Sequence, residues 1–259
     1  MRFAVGVEYD GRRYCGWQRQ LGTATVQQSI EEALSRVANG PITIVTAGRT
    51  DTGVHANGQV FHFDTSVERD EQAWLRGGNT FLAKDIALVW VRRVSSEFHA
   101  RFSAVSRCYR YIVFNRRIRP ALYTGRVAWE YRTLAVEPMQ RAAQDLIGEH
   151  DFSAFRAAGC QAQSPVRTVY ALFVGHSGDW YWFDVRANAF LQHMVRNMVG
   201  LLLAIGAGEQ RDTWAREVLG SRDRRRGGVT APPDGLYLNA VEYPARFQLP
   251  APAPACRFW

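Results

Sequence analysis

The stretch "ITIVTAGRTDTGVHANGQVFHFDT", Ile42 to Thr65, sets two strand-like runs on either side of a turn-rich segment. "ITIVTA" is rich in β-branched residues, and in "GQVFHFDT" Val60, His62 and Asp64 alternate with Phe61 and Phe63, the period of two of a half-buried strand. Between them, "GRTDTGVHANGQ" places Arg49, Asp51 and His55 among glycines and threonines. An aspartate in a glycine-flanked turn commonly caps nearby N–H groups, which is the plain reading of Asp51. Arg49, two residues away, and the small side chains around it favour a second reading, in which a large ligand approaches the backbone and Asp51 reacts with it. Local chemistry leaves both open.

Working outward, "RFAVGVEYD" alternates Phe3, Val5, Val7 and Tyr9 against smaller or polar neighbours and predicts a strand ending at Asp10-Gly11. Thr25 and Gln28 form a capping box ahead of Ile30, Ala33, Leu34 and Val37, a helix that Asn39-Gly40-Pro41 stops. A helix over 71–81 and the strand "IALVWVRRV" complete an α+β unit ending near Phe102. The second half repeats the recipe. "RCYRYIVF" predicts a strand, and Pro138 precedes the helical stripe Met139, Ala142, Ala143, Leu146 and Ile147. "VRTVYALFVG" and "WYWFDVRA" predict two strands joined through "HSGD"; a long helix from Ala189 to about Ile205, a shorter one from Thr213 to Leu219 and the strand "GLYLNAVEY" follow. The expected organisation is two α+β halves with antiparallel sheets, residues 1–103 and 104–246, and a loosely ordered Pro/Ala-rich tail over 247–259.

The 259 residues are 47% hydrophobic and 22% charged, with no uncharged apolar run long enough to span a bilayer. Charges at Arg2, Glu8 and Asp10 interrupt the start before a secretory signal could form, so a cytoplasmic location is expected and no membrane partner. Cys15, Cys108, Cys160 and Cys256 form no C-x-x-C pair, and the six histidines include no H-E-x-x-H, so a metal enzyme is disfavoured. The net charge is +8, carried by arginine, with Lys84 the only lysine. Arginine's planar fork binds phosphate and stacks on bases, which points to a nucleic-acid partner; a codon bias replacing Lys by Arg would give the same composition.

Along the predicted long helix, Gln192, His193, Arg196, Asn197 and Gly200 share one arc opposite Leu191, Met194, Val195, Met198, Leu202 and Ile205. This polar arc carries no acidic residue, so a cationic surface lining a cleft competes with a merely solvated face. In "RCYRYIVF", Arg107, Tyr109 and Tyr111 share one strand face, Cys108 and Arg110 the other. Tyrosines in strands usually pack; beside arginines they also offer a platform for an unstacked base. "RFSAVSRCYRY", "FNRRIRP" and "SRDRRRGG" add basic character.

"AGRTDTGVHANGQV", "RFSAVSRCYRYIVFNRRIRP", "ANAFLQHMVRNMVG", "YDGRRYCGWQRQ" and "GLYLNAVEYP" together resemble the tRNA pseudouridine synthase A family, in the same order from about Arg2 to about Pro244. The resemblance implies an isomerase that converts uridine to pseudouridine at positions 38 to 40 of the tRNA anticodon stem-loop, working as a homodimer without metal or cofactor. It implies two ferredoxin-like α+β halves whose antiparallel sheets join across a central active-site cleft. It places the catalytic aspartate on Asp51, the arginine that displaces the target nucleotide on Arg49, the stacking tyrosine on Tyr109 and the arginine that pairs with the carboxylate on Arg196. Arg107, Arg110 and His193 are further candidates for substrate binding. Thr52, Cys15 and Gln192 depart from the family's usual residues, and Thr52, beside Asp51, bears on substrate preference. A non-catalytic tRNA-binding module and an Asp-dependent, uracil-releasing glycosylase are the competing functions.

Overall fold

In the computed structural model, which describes residues 1–259, the alternating run at the start forms β1 (Arg2–Tyr9). β1 lies between two antiparallel partners, β3 (His55–Asp64) and β4 (Ile86–Val94), with Val5 opposite Phe61 on one side and Val91 on the other. The far edge of β3 takes β2 (Ile44–Thr46) antiparallel, through Ile44 and Phe63. It also takes β10 (Leu236–Glu242) parallel, through Tyr237 and His55. These strands and the helices α1 (Val26–Ala38) and α2 (Glu71–Phe81) belong to one unit, built from Met1–Ser106 and Tyr237–Cys256.

α1 is punctuated as the sequence predicts, and α2 has the predicted bounds with a cap that the sequence reading does not name. The Thr25 hydroxyl accepts the Gln28 N–H, Asn39 ends α1 in a left-handed conformation at φ 50°, and the Asp70 carboxylate accepts the Ala73 N–H at 2.6 Å to start α2. The core of the unit is aromatic: Phe3 and Phe63 stack at 5.5 Å, and Trp74 from α2 lies 5.0 Å from Phe63. Each such ring removes about 150–250 Å² from water, some 4–6 kcal/mol at roughly 25 cal/mol per Å².

The second unit comprises Arg107–Leu236 with Arg257–Trp259. Its strands run in the order β5 (Ser106–Asn115), β9 (Trp180–Ala187), β8 (Val166–Ser177), β7 (Gly148–Asp151), all antiparallel, and β6 (Ala128–Glu130) joins β5 in parallel. α3 (Val136–Gln144), α4 (Met194–Gly206) and α5 (Trp214–Ser221) complete it. Tyr109 opposes Val185 and Tyr111 opposes Phe183 on one sheet face, while Cys108 and Arg110 oppose Arg186 and Asp184 on the other. The first face is the buried one: Tyr111, Phe183 and Val185 are almost fully enclosed, with the Tyr111 and Phe183 rings 6.5 Å apart.

The whole is mixed α+β with mostly antiparallel strands, as expected. Two details differ. The short strands β6 and β7 were not predicted, and α4 begins at Met194 rather than Ala189. Helical winding cannot run through the segment before it, because His193 sits at φ 62° and the Asn188 side chain accepts the N–H groups of Thr168 and Ala189. No helix is long and apolar enough to cross a membrane. After Phe247 the chain forms no helix or strand and is held by side-chain contacts. Asn57 donates to the Pro254 carbonyl at 3.0 Å, the Cys256 N–H to Asn239 Oδ1 at 3.1 Å, and Trp259 stacks on Trp182 at 4.5 Å.

Candidate active site

Asp51 stands in the connection between β2 and β3, and the main chain around it is held from several sides. Ala47 N–H donates to the Val60 carbonyl at 2.8 Å, the Gln59 side-chain amide to the Gly48 carbonyl at 2.7 Å, and Trp17 N–H to the Thr50 carbonyl at 3.0 Å. Thr50 Oγ1 and the Tyr9 hydroxyl share a hydrogen bond of 2.8 Å. Val54 N–H then donates to the Asp51 carbonyl at 3.1 Å, closing a turn in which Gly53 takes φ 79°, a conformation that favours glycine. The plain reading of this segment as a turn is therefore correct for the backbone. The outcome for the side chains is an alternation: Arg49 exposed, Thr50 buried, Asp51 half-buried. His55 belongs to the frame, since it is buried, accepts the Gly11 N–H at 3.1 Å through Nδ1 and stacks on Tyr237 at 4.7 Å. Burial pushes the Tyr9 phenol up to about 12, against the opposing hydrogen bonds from Thr50 and Gln59, so it stays protonated at neutral pH.

The second unit carries the other sequence candidates. Tyr109 is half-buried on the helix-facing side of β5, its ring edge-on to Phe190 at 5.0 Å. Arg107, on the same face, donates to the Asn188 carbonyl at 2.9 Å. Arg196 lies in the first turn of α4, and its Nε donates to the Ala231 carbonyl at 2.7 Å, which fixes the plane of the guanidinium. The Ala231 N–H returns the bond to the Arg196 carbonyl at 3.1 Å. The charge of Arg196 also acts on Tyr111, whose phenol is raised well above the usual tyrosine range by burial, with Arg196 opposing. His193 is the left-handed residue just before α4, and its carbonyl accepts the Asn197 N–H at 2.8 Å. Within this unit, Tyr109, Arg107 and Arg196 belong to the helix-covered side of the sheet. Arg110 does not join them: it points to the opposite face, in a two-pronged ion pair with Asp184 at 2.7 Å and 5.8 Å from the centre of the Trp259 ring.

The polar arc of the long helix resolves into two parts. Asn197 is buried, donating to the Phe155 carbonyl at 2.7 Å while its Oδ1 accepts Thr230 Oγ1 at 2.7 Å and Arg224 Nη2 at 3.0 Å. Gly200 is where the 228–231 segment crosses the helix, and a Cβ there would run into the Val229 carbonyl oxygen. These two positions are packing; of the rest of the arc, Arg196 is half-buried in the first turn, and Gln192 and His193 precede the helix. The sequence does not show which residues hold these candidates: Tyr9, Thr50 and Gln59 at the Asp51 loop, and Arg224 and Thr230, through Asn197, beside Arg196. The available signal was adjacency, for Thr50 and Asn197 are the direct chain neighbours of Asp51 and Arg196.

A family model described as tRNA pseudouridine synthase matches residues 6–103 and 142–244. The tRNA pseudouridine synthase A of Nitrosococcus oceani is 56% identical over 250 residues, 96% of each chain. That of Pseudomonas aeruginosa is 54% identical over 250 residues, covering 96% of this chain and 88% of the other. The Coxiella burnetii protein of the same name is 52% identical over 249 residues, 96% of this chain and 95% of its own. With more than half its length under the family model and relatives matched almost end to end, the chain belongs to the tRNA pseudouridine synthase family.

Proposed function

We propose that this enzyme isomerises uridine to pseudouridine at positions 38 to 40 of the tRNA anticodon stem-loop, with Asp51, Tyr109 and Arg196 as the catalytic groups and Arg49, Arg107 and His193 as substrate contacts. The observation that carries the reading is the alternation in the Asp51 loop. A backbone tied down at Gly48, Thr50 and Val60 turns Thr50 inward and sends Arg49 and Asp51 outward from a fixed platform.

The reaction exchanges an N1–C1′ glycosidic bond for a C5–C1′ bond, so the uracil detaches, turns and rejoins. Atoms and oxidation state are unchanged. A base stacked in a stem has to be extruded first, at an unstacking cost of a few kcal/mol, and an exposed arginine such as Arg49 is suited to fill the vacated space. Addition to C6, attack at C1′ and removal of the 2′ proton all require the Asp51 carboxylate as an anion. The Tyr109 ring offers a stacking surface for the loose base, and its hydroxyl a route for the C5 proton. The guanidinium of Arg196, its plane set by Ala231, supplies positive charge for an anionic reaction. Arg110 is left out of the substrate set because its ion pair lies on the other sheet face.

The test is tRNA labelled with tritium at uridine C5. Release of tritium to water supports the isomerase; release of labelled uracil would instead make the protein a glycosylase, and no release a simple binder. The same reading includes a homodimer in the cytoplasm. Sedimentation giving a mass of one chain would remove the dimer.

A further inference from the structure

Three buried polar side chains meet at the Asp51 loop, against a largely aromatic and aliphatic core. Tyr9 is 4% exposed, Thr50 6% and Gln59 0%. The Tyr9 ring packs 5.8 Å from Trp17, which in turn packs 6.3 Å from Phe61, so the ring is already accounted for by apolar contact. Its hydroxyl is not. Burying polar groups that then satisfy one another is close to neutral for stability, and apolar residues of similar volume fill such a space equally well. What apolar residues cannot do is fix a chain in one register. Here Gln59 grips the Gly48 carbonyl and Tyr9 grips the Thr50 hydroxyl, one clamp on each side of Arg49.

We propose that Tyr9 is a positioning residue for the isomerisation, acting through Thr50 to hold the main chain on which the Asp51 carboxylate stands. The role rests on the reading of Asp51 given above. This bond sets the Thr50 side chain inward while its neighbours Arg49 and Asp51 are exposed and half-buried, so it holds the stretch on which Asp51 stands. Loss of the Tyr9–Thr50 bond leaves Thr50 held only through its main chain, by the Trp17 N–H, with its side chain free to turn; a displacement of about 1 Å at a reacting group can cost about 100-fold in rate. Substrate binding has no share in this bond, so the loss falls on the chemical step.

The experiment compares Tyr9→Phe, Thr50→Val and Thr50→Ser in single-turnover and steady-state tritium release from tRNA. Tyr9→Phe and Thr50→Val are expected to lower kcat by about 10- to 100-fold with KM for tRNA within about twofold. Thr50→Ser, which keeps the hydroxyl, restores most of the rate, and the double variant Tyr9→Phe/Thr50→Val is no slower than the worse single one. A merely structural role predicts instead that Thr50→Ser and Thr50→Val track their melting temperatures and not the hydroxyl, and that outcome overturns the proposal. Wild-type kcat in Tyr9→Phe overturns it as well. Should Tyr9→Phe not fold, the two Thr50 variants read the same bond from its other end. Asp51→Asn separates the two levels: if it keeps full turnover, the reading of Asp51 fails, whereas a dead Asp51→Asn beside a fully active Tyr9→Phe removes only the positioning role.

Discussion

Asn197 Oδ1 accepts the Thr230 hydroxyl at 2.7 Å, and the same side chain donates to the Phe155 carbonyl at 2.7 Å, so one buried amide ties α4 to two separate loops. Asn197→Ala leaves the Phe155 carbonyl and the Thr230–Arg224 pair short of a partner. The expected cost is about 2–4 kcal/mol, seen as a lowered urea midpoint with an unchanged slope. An unchanged midpoint would mean that water replaces the amide without penalty.

Asp51→Asn should abolish turnover while leaving tRNA affinity within a few-fold of wild type, because the amide is isosteric but cannot act as an anion. Tritium release and filter binding on the same preparation measure both. A fully active variant would end the assignment of Asp51.

Arg196→Lys removes the bond from Nε to the Ala231 carbonyl and the planar fork with it. Activity is expected to fall by about 10- to 100-fold, about 1.4–2.7 kcal/mol of transition-state stabilisation, with the fold retained by circular dichroism. Equal activity of the lysine variant would show that a point charge suffices.

Burial, assisted by the charge of Arg2, pushes His62 down to about 4, and its Nδ1 accepts the Ala100 N–H at 3.1 Å. In the unfolded chain this imidazole titrates near 6.5. As pH falls through that value the unfolded state takes up a proton that the native state refuses, so stability is full above about pH 6.5 and declines until about pH 4. Allowing for partial solvent screening, the loss is about 1–2 kcal/mol. His62→Asn keeps an acceptor in place of Nδ1 and does not titrate, so its denaturation midpoint should fall less steeply over that window; parallel curves for the two proteins would refute the assignment.

A net charge of +8 on an arginine-rich chain makes electrostatics a large part of tRNA affinity. Binding is expected to weaken at least about tenfold between roughly 50 and 200 mM salt. A flat response would rule out extensive phosphate contact.

Legibility in the sequence followed the range of the forces involved. Strands β1, β3 and β5 show in alternation, β8 and β9 in the turn between them, and α1 in Thr25 and Asn39, because those signals reside within a few residues. β6 and β7 are three and four residues long and exist through their partners, Val113 with Ala128 and Val169 with Gly148, so nothing local marks them. The start of α4 was overextended because apolar spacing continues through "AFLQH" while the break lies in backbone conformation at His193. Asn197 and Gly200 fall at the spacing of a wet helix face; only the loops that come to meet them from elsewhere in the chain make them interior. Local chemistry does not separate Asp51 from an ordinary turn aspartate; only the resemblance carried by several motifs together implies a role for it. Thr50 beside it carried no such mark, since its partner Tyr9 is 41 positions away.

The first unit is discontinuous in the chain, and that imposes an order of events during translation. Its β10 strand emerges only after the intervening 107–236 segment, a delay of roughly 7–26 s at about 5–20 residues per second. Throughout that interval the edge of β3 at His55 and Ala56, directly after the Asp51 turn, waits without its parallel neighbour. A nascent chain with such an edge is vulnerable to wrong pairing on the ribosome, and a permuted gene that places 237–256 ahead of Met1 should shorten the exposure and raise the soluble yield.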